Sequence, residues 1–371
     1  RGRYYMRSGS TLQELGGAAL DRFLLSRQGR TWDGVPLPQL SLRDLSDSAI
    51  NNFRKLAMRS GRLDETVLKE DVPQLLEKLR LVDGAYVKRA AALLFTSDPE
   101  DFITGAFVKI GYFRSEADLA YHDEVRGDLF TQVRQTVDLL RTKYLKAGIT
   151  YEGIQRIEVF PVPEPALRES ILNALIHKDY SSNSPVQIRV YADKLKIWNS
   201  AELPGDWTLE KLLGEHSSRP FNPSVANAFF RAGEIEAWGR GIQRIFDACN
   251  SAGTPAPVVD YGGGDLCFAF PFSEDYLGLL GERHMGKNAG EGSPKTPVKT
   301  PVKTPVKTPV KTPDQILNLL RENPAMSLAE VAAAIGKSLS AVERASSKLV
   351  KSGQIKYVGP KKGGYWEVIN E

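Results

Sequence analysis

A short segment with a proline at every fourth position separates this chain into two parts. Residues 296–313 read TPVKTPVKTPVKTPVKTP, with a lysine in each complete period. Proline fixes φ and lacks a backbone donor, so this spacing excludes an α-helix and a hydrogen-bonded strand. The repeat is therefore predicted to be an extended, semi-rigid tether between two folded parts. Its lysines leave two interpretations open: a soluble spacer, or a tether that also contacts phosphate groups.

Charge is unevenly distributed on the two sides of this tether. Residues 286–371 hold 14 Lys and Arg against 7 Asp and Glu, whereas the rest of the chain holds 35 against 38. A basic excess confined to the C-terminal quarter predicts an acidic partner, most often nucleic acid. The length of 371 residues predicts two or three domains, and a hydrophobic content of 42% is typical of globular proteins.

Composition also excludes several kinds of site. The longest purely apolar run spans residues 90–95, which is too short for a membrane-spanning helix, so no membrane partner is predicted. Two cysteines, Cys249 and Cys267, are too few for a disulfide framework or a four-cysteine zinc site, and both are predicted to be core residues. This cysteine usage predicts a reducing, cytoplasmic location.

The region after the tether has the layout of a winged helix. A helix is predicted at 314–322, and Ser327 with Glu330 forms a capping box that begins a second helix. A third helix begins near Ser338, and two strand-like runs follow at 354–358 and 365–369. We expect the third helix to enter the major groove of double-stranded DNA. The alternative is a winged helix used for protein contacts.

Polar residues of the third helix and of the wing are the candidate DNA contacts. Ser340, Arg344 and Ser347 share one helical face, which is predicted to face the bases. Lysines at the end of the helix and at the wing tip are predicted to contact phosphates, which position DNA without specifying its sequence. The full set is Ser338, Ser340, Arg344, Ser347, Lys348, Lys351, Lys361 and Lys362.

The part before the tether alternates between helical and strand-like segments. This pattern predicts an α+β sandwich, a sheet covered by helices. Helices are predicted at 41–60, 72–81, 128–145, 165–177, 222–232 and 241–252. Strands are predicted at 88–95, 105–113, 154–162, 186–192, 194–198 and 266–272.

The helix at 165–177 carries a stripe of polar residues beside its apolar face. Glu169, Asn173 and His177 are spaced four residues apart and therefore lie in one row. The amide oxygen of Asn173 is a suitable ligand for Mg²⁺, which prefers oxygen. The carboxylate of Glu169 could orient a water for attack on a phosphate. The alternative is a solvated helix face.

Three longer stretches resemble a bacterial regulator family. They read RESILNALIHKDY, VQIRVYADKLKIWNSAELP and RPFNPSVANAFFRAGEIEAWGRGIQRI. Its members are often labelled RecG-like helicases or Alba-domain (Schlafen-like) transcriptional regulators. Their ATP-binding domain is a divergent relative of the gyrase, chaperone and histidine-kinase (GHKL) ATPases. The resemblance covers residues 41–272, and the opening RGRYYMRSGST resembles the end of the family's N-terminal Alba-type domain.

The resemblance implies ATP and Mg²⁺ as cofactors and assigns roles to single residues. Glu169 and Asn173 match the E-x-x-x-N box, in which the glutamate polarises water as the catalytic residue and the asparagine holds the metal. Asn199 stands where the superfamily has an aspartate that recognises the adenine amino group. The nucleotide-binding set implied in this way is Asn173, His177, Asp179, Asn199, Gly239 and Gly241.

Two departures from the family pattern concern its glycines: the loop after Asn199, and a second glycine box that is reduced to WGRG at 238–241. Related regulators read N-P-G-G-L-P after the asparagine, whereas this chain reads NSAELP at 199–204. Ala201 and Glu202 thus replace glycines that would let backbone approach a nucleotide, and Glu202 would repel phosphate if it faced the site. No Walker A sequence is present, so the helicase label lacks a P-loop motor in this chain.

These features predict an α+β protein with a GHKL-like sandwich domain and a winged helix-turn-helix domain on a Pro/Lys tether. The expected segments are an Alba-type remnant (1–35), a connecting region (36–150), the ATP-binding domain (151–275), the linker (276–313) and the winged helix (314–371).

Three functions remain open on the sequence. The first is a DNA-binding transcriptional regulator, expected to be a homo-oligomer, whose ATP-binding domain senses nucleotide or sets dimerisation. The second is an ATP hydrolase acting on DNA or on a protein complex. The third is a degenerate scaffold that no longer binds nucleotide.

Overall fold

The computed structural model describes most of the chain before the tether and parts of the C-terminal region. The described residues are 3–8, 11–204, 207–236, 239–285, 316–317, 319–321, 324, 326–334, 342, 345–346, 349–350, 354–358 and 365–368. The TPVK tether lies outside them. The chain divides into two compact units, Arg1–Glu291 and Gly292–Glu371.

The described part of the larger unit contains short and medium-length strands and helices. The strands are β1 (Tyr4–Ser8), β2 (Thr11–Leu15), β3 (Val82–Asp83), β4 (Tyr86–Val87), β5 (Val108–Ser115), β6 (Asp118–Val125), β7 (Gly148–Glu152), β8 (Gln155–Val159), β9 (Val186–Val190), β10 (Lys194–Ser200), β11 (Val258–Gly262) and β12 (Asp265–Pro271). The helices are α1 (Gly17–Arg27), α2 (Asp47–Ser60), α3 (Glu65–Lys69), α4 (Val72–Lys78), α5 (Arg89–Phe95), α6 (Leu129–Leu139), α7 (Glu164–Ile176), α8 (Leu209–Leu213), α9 (Pro223–Arg231), α10 (Gly241–Ser251) and α11 (Glu274–Met285).

Six of the strands form one mixed sheet in the order β11-β12-β10-β9-β5-β6. β5 and β9 are parallel, and the other neighbours are antiparallel. Burial alternates residue by residue along β9 and β10, so one face of the sheet lies in the core. The predicted α+β fold class is confirmed.

Helix α7 connects this core to the candidate site. It packs against α6, α10 and strand β10. Its first turn contains Pro165, whose missing backbone donor costs nothing there. Leu167, Ile171 and Leu175 are buried in the core. Glu169 and Asn173 are only partly buried, because they lie on the flank of the helix rather than on its apolar face.

One predicted strand is wrong. Residues 88–95 contain helix α5 instead, and every residue from Ala90 to Phe95 is buried. A continuous apolar run has no period of 2 or 3.6, so it does not distinguish a buried strand from a buried helix. The predicted helix at 165–177 and the hairpin at 186–198 are confirmed.

The smaller unit has its own apolar core within the residues that the structure describes. Ile316, Leu320, Val331, Val342 and Ile355 are buried in it. The predicted capping box is confirmed, since the Ser327 backbone N–H donates to Glu330 Oε2 at 2.8 Å and the Glu330 N–H donates to Ser327 Oγ at 3.3 Å. The helix that it caps spans Leu328–Ala334.

The predicted wing hairpin is also confirmed, because strands Ile355–Val358 and Tyr365–Val368 pair antiparallel. The candidate DNA contacts lie outside the described residues, so their positions stay predictions. They are Ser338, Ser340, Arg344, Ser347, Lys348, Lys351, Lys361 and Lys362. No helix among the described residues is long and apolar enough to cross a membrane.

Candidate functional site

A cavity of about 780 Å³ lies beside helix α7 in the larger unit. Helices α1 and α10, strand β12 and the segment between β10 and α9 supply much of the rest of its wall. Six of the seven residues predicted for a nucleotide site line this cavity: Glu169, Asn173, His177, Asn199, Gly239 and Gly241. The seventh, Asp179, is not part of the wall.

Gly241 brings the start of α10 directly against the polar stripe of α7. A Cβ atom at this position would lie 2.6 Å from Glu169 Oε1 and 3.1 Å from Asn173 Oδ1. A larger residue at this position would require these two side chains to shift. Since α10 begins at Gly241, its unpaired N-terminal N–H groups and the positive end of its dipole lie beside these two side chains. A helix N-terminus in this position favours an anion.

Gly239 holds the neighbouring loop in place. Its φ of +69° lies in the left-handed region, where side chains are strained. A Cβ atom there would also lie 2.5 Å from the carbonyl oxygen of His216. The glycine therefore lets the segment around His216 pack against the start of α10, where this segment forms part of the cavity wall.

Glu169 lies in an environment suited to a general base. Burial raises the pKa of its carboxyl, while the positive charges of Arg244 and Arg168 oppose that rise. Each arginine also has an acidic partner, Glu236 for Arg244 and Glu234 for Arg168. A carboxylate with a raised pKa accepts a proton more readily near neutral pH.

His177 ends α7 and contributes a neutral ring to the wall. Its backbone N–H donates to the Asn173 carbonyl at 2.9 Å. Burial, with the charge of His216 adding to it, lowers the pKa of His177 to about 4. The imidazole is therefore uncharged at physiological pH and is available for hydrogen bonding rather than for charge pairing.

Asp179 is connected to the cavity by an ion pair with Arg22, a wall residue that the sequence analysis did not single out. Arg22 Nη1 lies 2.7 Å from Asp179 Oδ2, and Arg22 also pairs with Glu202. Arg22 belongs to α1 and lines the cavity together with Glu202. The acidic side chain of Glu202, expected to repel phosphate, therefore has a cationic partner at the site.

Lys178 belongs to the motif HKDY, residues 177–180, whose role could not be derived from the sequence. The contacts of Lys178 show what part of this motif does. Lys178 is fully buried, with Nζ 3.2 Å from the Asp179 carbonyl oxygen and 4.4 Å from the centre of the Tyr180 ring. The Asn222 amide donates to the carbonyl oxygens of Ile176 and Lys178, both at 2.8 Å. This part of the motif forms a packed corner that follows α7.

Three buried donors of the cavity residues have no hydrogen-bond partner among the described residues. They are Asn173 Nδ2, Asn199 Nδ2 and Trp207 Nε1. Buried polar atoms are nearly always paired, because an unpaired one costs free energy. The wall also contains five arginines: Arg22, Arg30, Arg219, Arg240 and Arg244. A ligand rich in acceptor atoms and negative charge fits these groups.

Magnesium would need ligands from outside the protein. Among the described residues there is no cluster of three or more His, Cys, Asp and Glu side chains that could hold a metal ion. Asn173 and Glu169 supply oxygen atoms next to each other, which suits a hard cation that is completed by phosphate and water oxygens. The residues present are therefore compatible with Mg²⁺ that arrives with a phosphate ligand.

Comparisons with known protein families give one match in each of the two compact units. Residues 183–270 match the family described as "Putative ATP-dependent DNA helicase recG C-terminal". Residues 315–356 match the family described as "Winged helix-turn-helix DNA-binding". The first match contains Asn199, Gly239 and Gly241, whereas Glu169 and Asn173 precede it. No curated protein matches the chain.

Among solved structures, the chain is similar to the DIP2311 protein from Corynebacterium diphtheriae, a target of the Northeast Structural Genomics Consortium. The TM-score is 0.53 at 18% identity, covering 99% of this chain and 70% of that one. At this identity the similarity concerns the fold alone. The chain thus carries an ATPase-type domain like the RecG C-terminal family and a winged helix-turn-helix domain, features that indicate nucleotide binding and DNA binding.

Proposed function

We propose that this chain is a DNA-binding transcriptional regulator whose ATPase-type domain binds Mg-ATP. The observation that carries the nucleotide part is the cavity with the N-terminus of α10 at its wall and three buried donors that lack a partner among the described residues. The match to a winged helix-turn-helix family supports the DNA part. The basic excess of the C-terminal quarter supports it as well, because phosphate contacts supply much of the affinity for DNA.

Each residue would have a separate task in this site. The N–H groups at the start of α10 and the side chains of Arg22 and Arg244 would bind the phosphate groups. Asn173 would hold Mg²⁺ through its amide oxygen, with the ion neutralising phosphate charge. Asn199, buried at the end of β10, would contact the base. His177, uncharged at neutral pH, would donate a hydrogen bond or accept one.

Glu169 supports a second candidate, an ATP hydrolase. Its carboxylate would accept a proton from the attacking water, and its raised pKa favours that step. The regulator stays the first candidate because Ala201 and Glu202 replace the two glycines of the related regulators. Homo-oligomerisation belongs to the same proposal and follows from the family resemblance.

Calorimetric titration with Mg-ATP and with Mg-ADP, followed by a phosphate-release assay, separates the candidates. The proposal predicts saturable nucleotide binding with little or no phosphate release. Release that is abolished in Glu169→Gln would replace the regulator with the hydrolase. No binding at millimolar nucleotide would contradict both candidates and leave a scaffold.

A further inference from the structure

Asn199 is the residue that would contact the base in the proposed nucleotide site. It lies at the end of β10, is 3% exposed and lines the cavity. Its Nδ2 atom is buried without a hydrogen-bond partner among the described residues. Leu266 and Phe268 of β12 and the indole of Trp207 line the same cavity and offer apolar surface to a flat ring.

The backbone next to Asn199 is already engaged. The Ala201 N–H donates to the Gly264 carbonyl at 2.9 Å, and the Ser200 carbonyl accepts from the Asp179 N–H at 2.7 Å. The Ala201 N–H is therefore not available to a ligand. The side chain of Asn199 is the polar group at this end of β10 that is best placed to recognise a base.

The chemistry of an amide differs from that of a carboxylate at this position. An ionised aspartate only accepts hydrogen bonds, so it can pair with the amino group of adenine or with the N1–H of hypoxanthine, but it leaves the neighbouring acceptor of either base without a donor. An amide offers one donor group and one acceptor side by side. Rotation of its plane matches it either to adenine, with an amino group at C6 and an acceptor at N1, or to hypoxanthine and guanine, with an oxygen at C6 and a donor at N1.

We propose that Asn199 is a specificity-determining residue that lets the cavity accept 6-oxopurine nucleotides as well as ATP. The inference rests on the proposed nucleotide site and adds its base preference. The observation behind it is the Nδ2 donor that lacks a partner among the described residues, because the oxygen at C6 of such a base would satisfy this donor as well as N1 of adenine does. An acceptor-only side chain at position 199 would leave either of these acceptors without its donor.

Inosine triphosphate is the sharpest probe, since it differs from ATP only at C6 and at the proton on N1. Calorimetry at pH 8 compares Mg-ATP with Mg-ITP for the full chain and for Asn199→Asp. We expect the wild-type affinities to agree within about threefold. In Asn199→Asp, both nucleotides should bind at least about tenfold more weakly than to the wild type, because each base loses the donor that Nδ2 supplies to its acceptor.

The outcomes separate this inference from the proposed function. A wild-type chain that binds ATP but binds ITP more than about tenfold more weakly would overturn the inference and leave the ATP site standing. Unchanged affinity for both nucleotides in Asn199→Asp would overturn it as well. Absence of binding for both nucleotides would overturn the proposed site itself. If Asn199→Asp fails to fold, the wild-type ratio still decides.

Discussion

Gly241 and Glu169 are in direct contact across the candidate site. A Cβ atom at Gly241 would come within 2.6 Å of Glu169 Oε1, closer than real Cβ atoms approach. This contact places the N-terminus of α10 beside the carboxyl that is the candidate base. It brings together two residues that are 72 positions apart in the chain.

Gly241→Ala tests that contact. The new methyl group should displace the side chains of Glu169 and Asn173, so we expect Mg-ATP affinity to fall at least about tenfold. The free energy of unfolding should change little, because the displaced groups are ends of partly buried side chains beside a cavity. Calorimetry and urea unfolding measure the two effects. Gly278→Ala is the matched control, because a Cβ there meets nothing within 4 Å. Equal nucleotide affinities in the two variants would contradict the role given to Gly241.

Arg22→Met tests the pairing at the cavity wall. Its removal leaves the carboxylates of Asp179 and Glu202 without their shared cation, so Mg-ATP should bind about tenfold more weakly. Adding Glu202→Gln should restore part of the affinity, because it removes one of the two negative charges. Arg27→Met, at an exposed position of the same helix, is the control. An Arg22 variant that matches it would refute the pairing argument.

The burial of Lys178 should make the free energy of unfolding depend on pH above pH 7. Burial lowers the pKa of Lys178 to about 8, although the charges of Asp179 and Glu100 oppose this change, whereas an exposed lysine titrates near 10.5. Between these values the unfolded chain binds more protons than the folded one, so the free energy of unfolding should rise with pH. The full difference corresponds to about 3 kcal/mol.

Urea unfolding at pH 7.5, 8.5 and 9.5 measures this dependence. The rise should be absent in Lys178→Met and retained in Lys55→Met, whose side chain is exposed. A rise of the same size in Lys178→Met would show that another group causes it.

Lys361 and Lys362 are the residues proposed to contact phosphate at the wing tip. Reversal of both charges, Lys361→Glu with Lys362→Glu, should weaken binding to all DNA sequences by a similar factor and flatten its salt dependence. Fluorescence anisotropy on unrelated duplexes at several salt concentrations measures both quantities. A loss confined to one sequence would exclude a simple phosphate role.

Local periodicity predicted the part of the site that lies on one helix. Glu169, Asn173 and His177 share a face because of their four-residue spacing, and all three line the cavity. The resemblance to a family added Asn199, Gly239 and Gly241. Arg22 could not be found in either way, because it approaches Asp179 only through folding across 157 positions.

Contacts between distant parts of the chain could not be predicted for the fold either. The alternation of segments indicated a sheet covered by helices, and the alternating burial of β9 and β10 follows it. The parallel pairing of β5 with β9 joins strands that are far apart in the sequence, and no local pattern reports such a contact. Helix α5 was taken for a strand because its apolar run has no period.

The central claim is that the cavity binds Mg-ATP through the polar stripe of α7. Calorimetric titration of the wild-type chain, Asn173→Ala and the exposed control Asn51→Ala, each with and without Mg²⁺, tests it most directly. We expect saturable binding in the wild type and in Asn51→Ala, dependent on Mg²⁺, and none in Asn173→Ala. Unchanged affinity in a folded Asn173→Ala, or no binding by the wild type at millimolar nucleotide, would contradict the account.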